Sequence, residues 1–313
     1  GVKHHRFSAA CFWCDYRATG WHPDDYDTLS DGRRRIDHGG PGFSVGSFQP
    51  QIFILASKPE RVAVMRIRKE TFNIDTLTPE HREELYNELF PVTGELFQGM
   101  THEIFRTYFN PPENTTAIFQ VFRAPEGHVL GFSIAKRTTM TALNREVTVF
   151  RAVAMIKREA RGAGSTLMLG FKLSLLWKLR HPFSEVYYFG SMLQPTSYYL
   201  MIKSAKEIWP RHDQETPPDR FAMLQAIADA NDLPPLDPPR PYGRSLPVSV
   251  IENEEERNYW LTSDRPDARL FLENSPEYFG DHVLICFIPL TWSNLFRSFG
   301  MFAGDKFRCG SVR

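Results

Sequence analysis

Residues Lys157 to Thr166 read KREARGAGST and stand between two apolar runs. The run before them, VTVFRAVAMI (147–156), is nearly continuous in Val, Phe, Ala and Ile, a pattern that predicts a strand covered on both faces. The run after them, Leu167 to Leu179, carries Lys172 and Lys178 and falls short of the about 20 apolar residues needed to cross a bilayer. It predicts a buried helix from about Ser165 to Leu179. KREARGAGST is therefore a turn from strand to helix. Glycines allow the backbone to approach a ligand closely, a helix start presents unpaired N–H groups, and Arg161 adds positive charge. Such a turn suits a phosphate.

Upstream, RVAVMRIRKETF (61–72) alternates as a strand, and Thr78 before Pro79 marks the start of a helix. Leu85, Tyr86, Leu89 and Phe90 share one face of that helix. Spacings of three and four among Leu96, Phe97, Met100, Ile104, Phe105 and Tyr108 predict a second helix over 94–108. TTAIFQVFRAPEGHVLGFSIAKR (115–137) then reads as an antiparallel hairpin turning at Ala124–His128. Downstream come a strand in EVYYFGSML (185–193) and a helix starting near Pro195. Beyond Trp209 the pattern is less regular. TPPDRFAMLQAIADAN (216–231) is a Pro-started helix, LPPLDPPRP (233–241) an extended connector, and SLPVSVI (245–251) and HVLICFIPL (282–290) are strands, with EEERNYWL (254–261) between them. No internal repeat is visible.

The order from residue 61 onward is strand, two helices, three strands, helix, strand, helix. This predicts an α+β fold with a mixed, largely antiparallel central sheet flanked by helices. Residues 1–60 read as a partly irregular N-terminal extension, and 61–313 as one domain with its core at 61–210 and a C-terminal extension at 211–313.

The chain has 313 residues, 42% of them hydrophobic, enough for a real core. Lys plus Arg and Asp plus Glu both total 37, so no global basic field argues for nucleic acid or an anionic membrane. Any phosphate is met locally. Four cysteines do not make a disulfide framework, and the first residues lack a signal-peptide pattern, so a reducing, cytoplasmic setting is expected. Cys11 and Cys14 form a C-x-x-C pair near His4, His5 and His22, but no second ligand pair follows at matching spacing, and no metal is expected. The Arg33-Arg34-Arg35 run reads as solvated surface.

Several families hold phosphate on a glycine turn. Gly162-x-Gly164 approximates the dinucleotide fingerprint, with Leu167 in place of the last glycine; the antiparallel hairpin upstream and the position of Glu185 before its strand count against it. A P-loop is excluded because no Gly-Lys-Ser/Thr follows. Arg161-Gly162-Ala163-Gly164, together with the element order over about residues 60–210, resembles the acyl-CoA pyrophosphate motif of the GNAT superfamily of N-acyltransferases.

The resemblance implies an acyl-CoA co-substrate, acetyl-CoA or longer, in a splayed gap between the strand ending near Ile156 and the strand at 186–192. Its pantetheine arm would pair with backbone around Ala154, Met155 and Ile156. Its pyrophosphate would rest on Arg161, Gly162, Ala163, Gly164, Ser165 and Thr166. The acceptor would be an amine on a small molecule or protein, attacking the thioester directly with a base, an oxyanion donor and a thiolate acid. The family's tyrosine acid aligns with Met201, so the neighbours Tyr198 and Tyr199 are the candidates for that role, and Glu146 is the candidate base. His102 and His128 are further shuttle candidates by residue type. Arg158 replaces the motif's usual proline, and Thr166 a further glycine. These substitutions keep open a non-catalytic binding protein on the same fold, and Gly162-x-Gly164 keeps open a nucleotide-dependent oxidoreductase.

Overall fold

The computed structural model describes residues 67–157, 160, 167–252 and 254–297. The appended segment 1–60, with its C-x-x-C pair and arginine run, lies outside them, as do Arg158 and Arg161 to Thr166 of the glycine turn.

The chain begins with β1 (Arg68–Asn73) and a single 3-10 turn, then α1 (Pro79–Gly94). Thr78 caps α1 through its hydroxyl, which accepts from the His81 N–H at 3.3 Å. Leu85, Tyr86 and Leu89 are buried and Phe90 packs beside them, so the predicted apolar face is the one that seats the helix.

The second helix is shorter than its spacing predicted. β2 (Phe97–Gln98) comes first, followed by α2 (His102–Arg106), which Thr101 caps through the Ile104 N–H at 3.2 Å. Gly99 explains the break. It has φ +76°, and a Cβ there would stand 2.1 Å from the Pro247 carbonyl oxygen, so the chain turns left-handed against a second strand instead of continuing as helix. The three-and-four spacing reported a shared core, since Leu96, Phe97 and Phe105 are all buried in the same cluster.

β3 (Thr115–Arg123), β4 (Val129–Ala142) and β5 (Arg145–Ile156) form an antiparallel meander. Leu143 and Asn144 link β4 to β5 as a two-residue loop with φ of 51° and 59°, the twist that suits a tight hairpin. After β5 come α3 (Leu167–Arg180), β6 (Val186–Met192), α4 (Pro195–Ser204) and α5 (Pro218–Asp229). The expected strand at 245–251 is split. β7 (Gly243–Ser245) and β8 (Ser249–Val250) flank Pro247, which has no N–H for a continuous ladder. α6 (Glu254–Leu261), α7 (Pro266–Asn274) and β9 (His282–Pro289) complete the order.

The main sheet has seven strands in the order β1-β3-β4-β5-β6-β9-β7, and β2 pairs with β8 separately. Only β5 and β6 pair in parallel. This is the mixed, largely antiparallel, helix-flanked α+β sheet expected from the sequence. The described chain beyond 210 adds β9 and β7 to that same sheet. β9 carries a run of buried residues from Val283 to Pro289, as a strand covered on both faces must.

Helices cover both faces. α1 and α2 pack on β1, β3, β4 and the second half of β5, and α5 covers Val147, Val149, Tyr187 and Phe189 farther along the same face. α4 and α7 cover Phe150, Tyr188 and Leu284 on the other face, where α3 also lies. Arg123 joins β3 to β1 and α1 by reaching Glu70 at 2.7 Å and Glu88. No helix among the described residues is long and apolar enough to cross a membrane.

Candidate functional site

β5 and β6 stay paired at only three positions, Thr148↔Val186, Val149↔Tyr187 and Phe150↔Tyr188. Beyond Phe150, β5 runs six residues to Ile156 and β6 runs four to Met192, with no pairing between them. The strands part in a wedge.

Strand parity identifies the backbone groups that line the wedge. The Thr148 N–H donates to the Glu185 carbonyl on the β6 side, and the Lys157 N–H donates to Leu130 on the β4 side. Alternation then turns the N–H and C=O of Ala152, Ala154 and Ile156 toward β6, where the ladder gives them no partner. The Met155 backbone turns toward β4, and its side chain is buried under α1 and α2. Of the three residues expected to meet a pantetheine arm, Ala154 and Ile156 thus present backbone to the gap, and Ala152 joins them. The alanine side chains keep the opposite face uncrowded, and Ala154 is exposed.

α3 starts beside this edge and lies close to the sheet. A Cβ on Gly170 would meet the Tyr188 hydroxyl at 2.9 Å and the Ala152 Cβ at 3.2 Å. α3 is therefore held against the two strands that part. Arg161, Gly162, Ala163, Gly164, Ser165 and Thr166 themselves lie outside the described residues.

The face of the wedge away from α3 is cationic. Arg151, the first β5 residue beyond the paired stretch, donates from Nη1 to Asn231 Oδ1 at 2.7 Å and from Nη2 to Ser191 Oγ at 3.4 Å. It crosses from β5 to β6 where they separate. Lys136 on β4 is its cross-strand neighbour, with Nζ 4.3 Å above the Tyr108 ring. Burial pulls the Lys136 ammonium down to about 8, and Arg151 beside it acts in the same direction. Burial also lowers the Arg151 guanidinium and raises the Tyr108 phenol.

A carboxylate stands near the far end of β6. Glu252, after β8, accepts through Oε1 from the amide of Gln194, which immediately precedes α4. Its Oε2 is buried, and burial raises the carboxyl's pKa.

The proton-handling candidates fall in different places. Tyr198 is buried and donates its hydroxyl to the Pro210 carbonyl at 2.9 Å. Its phenol is pushed up by burial first, with Cys286 adding to the shift. Tyr199, next along α4, is partly exposed and its ring lies 4.1 Å from the Arg265 guanidinium. Met201 is buried in the core beneath α4. Glu146 is exposed at the start of β5, five residues or roughly 17 Å of strand from Arg151. The structure does not bring it to the wedge. His102 stacks on Phe90 at 3.8 Å and meets the Tyr86 hydroxyl through Nδ1 at 2.6 Å, within the α1–α2 packing. His128 is exposed in the β3–β4 turn, 3.5 Å from Glu126. Among the described residues no group of three or more His, Cys, Asp or Glu side chains could hold a metal ion.

Arg151, Lys136 and Glu252 were not expected from the sequence. Arg151 stood in plain view, as the single charged residue inside the apolar run 147–156. A charge in a strand covered on both faces needs a partner, and that was the available signal.

Comparison with solved structures finds low-similarity likenesses. A conserved protein of unknown function from Enterococcus faecalis, described as a probable N-acyltransferase, is 11% identical over 45% of this chain and 32% of that one, with TM-score 0.30. The chain thus spans about a third of the length of that protein. A GNAT-family acetyltransferase from Staphylococcus aureus is 11% identical over 49% of this chain and 92% of that one, with TM-score 0.31. One from Streptococcus pneumoniae is 9% identical over 71% and 100%, with TM-score 0.32. At those scores the likeness carries no argument, and the description of the fold rests on strand order and pairing. No family profile matches the sequence. No curated protein matches it either.

Proposed function

We propose that this chain is an acyl-CoA-dependent N-acyltransferase of the GNAT type, transferring an acyl group to an amine by direct attack on the thioester. The observation that carries the reading is the parting of β5 and β6 after three paired positions, which leaves one strand edge free inside an otherwise continuous sheet.

A free strand edge binds an extended ligand through its amides, as an added strand would. Ala152, Ala154 and Ile156 supply that edge for the pantetheine arm. Arg161 and the N–H groups of Gly162 to Thr166 cradle the pyrophosphate at the start of α3, with Ala163 as the spacer between the glycines. The acyl carbonyl then lies in the wedge, where an N–H of the free edge donates to the oxygen as it gains charge. The amine nitrogen forms the new bond to the acyl carbon, the carbon–sulfur bond breaks, and CoA leaves as thiolate. One proton leaves the amine and one reaches the sulfur.

Tyr199 is the first candidate for the acid that protonates sulfur. Tyr198 is the second, since its hydroxyl is already engaged by Pro210. Glu146 is carried as a base that acts only through a chain of waters, given its distance along β5. A cytoplasmic setting belongs to the same proposal.

The test is a melt of the full chain with CoA, acetyl-CoA, longer acyl-CoAs and NAD, followed by release of free thiol with a panel of amines. Stabilisation by CoA compounds but not NAD, with amine-dependent thiol release, is the expected result. Gly164→Glu places bulk and negative charge in the cradle and abolishes CoA binding in a folded protein. Unchanged CoA affinity in that variant overturns the reading. CoA binding without thiol release favours the non-catalytic alternative, for which Met201 and Arg158 speak.

A further inference from the structure

Beside the wedge stand two cations that face no carboxylate among the described residues, Arg151 on β5 and Lys136 on β4. Arg151 bonds only to the neutral oxygens of Asn231 and Ser191, with its guanidinium 5.4 Å from the Phe189 ring. Lys136 reaches the Thr107 carbonyl at 3.5 Å and otherwise rests on the Tyr108 ring. The two are cross-strand neighbours, so each adds to the cost of the other. Arg137, next to Lys136, likewise bonds only the Thr116 hydroxyl and rests on the Trp177 ring, whereas three other recessed arginines have carboxylate partners. Arg244 pairs with Asp229 at 2.8 Å, Arg265 with Asp267 at 3.1 Å, and Arg123 with both Glu70 and Glu88.

Keeping two like charges recessed together without a counter-charge costs free energy. The cost is offset when an anion arrives from outside. Both residues retain partial exposure to solvent. A guanidinium fork beside an ammonium matches the two oxygens of a carboxylate.

Location decides whose carboxylate it is. α3, whose start would carry the pyrophosphate, covers the face bearing Ala152 and Tyr188. Arg151 and Lys136 lie on the other face, with Val149 and Val153 along β5. With α3 on one face, an acceptor would reach an acyl group in the wedge from the other.

We propose that Arg151 and Lys136, with Tyr108, Ser191 and Asn231 around them, bind a carboxylate of the acyl acceptor, so that the substrate class is an amine that also carries a carboxylate, an amino acid or close analogue. The proposal rests on the acyltransferase reading for the amine. The anion site stands on the recess itself. Arg151 and Lys136 are specificity-determining residues and take no part in proton transfer.

The test compares amino acids with their own amides as acceptors for acetyl-CoA, and measures binding of the N-acetylated amino acids by calorimetry. Amino acids exceed their amides in kcat/KM by about 100-fold or more, because an unfilled site leaves buried charges unpaired. In Arg151→Gln the ratio falls to within about threefold, chiefly through a rise in KM. Lys136→Met, which keeps the apolar stem, serves where Arg151→Gln fails to fold, and weakens N-acetyl amino acid binding while CoA binding holds.

Equal turnover of amides and acids, or equal binding of N-acetyl amino acids and inorganic phosphate, overturns the carboxylate site and leaves the acyltransferase reading intact. Failure of every acyl-CoA to bind, with carboxylate binding that is lost in Arg151→Gln, removes the acyltransferase reading and supports the anion site.

Discussion

Phe150 and Tyr188 are the last residues at which β5 and β6 remain in register, and the next residue of β5, Arg151, spans the opening to Ser191. The sheet is thus continuous on one side of this pair and open on the other. The opening is where the proposed chemistry takes place.

Lys136 is held at about 8, below its ordinary 10.5, by burial first and Arg151 second. Below pH 8 the ammonium is charged in both folded and unfolded chains, and its full cost is present. Between pH 8 and 10.5 the folded state gives up the proton first, so stability rises with pH across that window. Lys136→Met removes the cost, raising stability at pH 7 by about 1–3 kcal/mol and flattening the rise. Urea unfolding at pH 7 and 10 measures both. A loss of stability at pH 7 would show that the ammonium has a counter-charge.

Glu252 has the opposite sign. Burial raises its folded pKa, although the Gln194 amide and the Tyr278 hydroxyl lower it in part. The protonated carboxyl is favoured in the folded state, so its contribution is present at acid pH and is lost as pH rises through the folded pKa. Glu252→Gln mimics the protonated form and raises the melting temperature at pH 8 more than at pH 4. An equal effect at both pH values contradicts the assignment.

Gly170 lies where α3 meets Tyr188 and Ala152. A helix interior ordinarily gains about 1 kcal/mol when glycine becomes alanine. Here the Cβ would stand 2.9 Å from the Tyr188 hydroxyl, so Gly170→Ala yields no such gain. Gly170→Leu costs about 1–3 kcal/mol by overpacking and widens the approach of α3 to the strands. Denaturant midpoints for the two variants decide it.

Cys286 is fully buried on β9, and desolvation pushes its thiol up to about 12. The thiolate is the reactive form, so the residue resists alkylation in the native protein at pH 8 and reacts only on unfolding. Mass-spectrometric mapping after iodoacetamide treatment, with and without urea, measures this. Native labelling at the rate of an exposed thiol refutes the burial.

Local signals were legible where neighbours in sequence are also neighbours in space. Thr78 and Pro79 start α1, the apolar run at 147–156 forms β5, and the stretch after the glycine turn forms α3. The 94–108 segment was misread because three-and-four spacing records which residues are buried together, and Gly99 and Pro247 determine by what path. The sequence located a strand, a turn and a helix in the order that suits a bound acyl-CoA.

The sequence by itself determined the α+β class and most of the element order between residues 68 and 204, because periodicity and caps act over a few residues. Only the tertiary structure decided that β5 and β6 separate after Phe150, that Ala152, Ala154 and Ile156 face the opening, and that Arg151 and Lys136 meet beside it. Those facts depend on strand register and on which face each helix covers. Register joins residues such as Phe150 and Tyr188, far apart in the chain, and no local pattern records it.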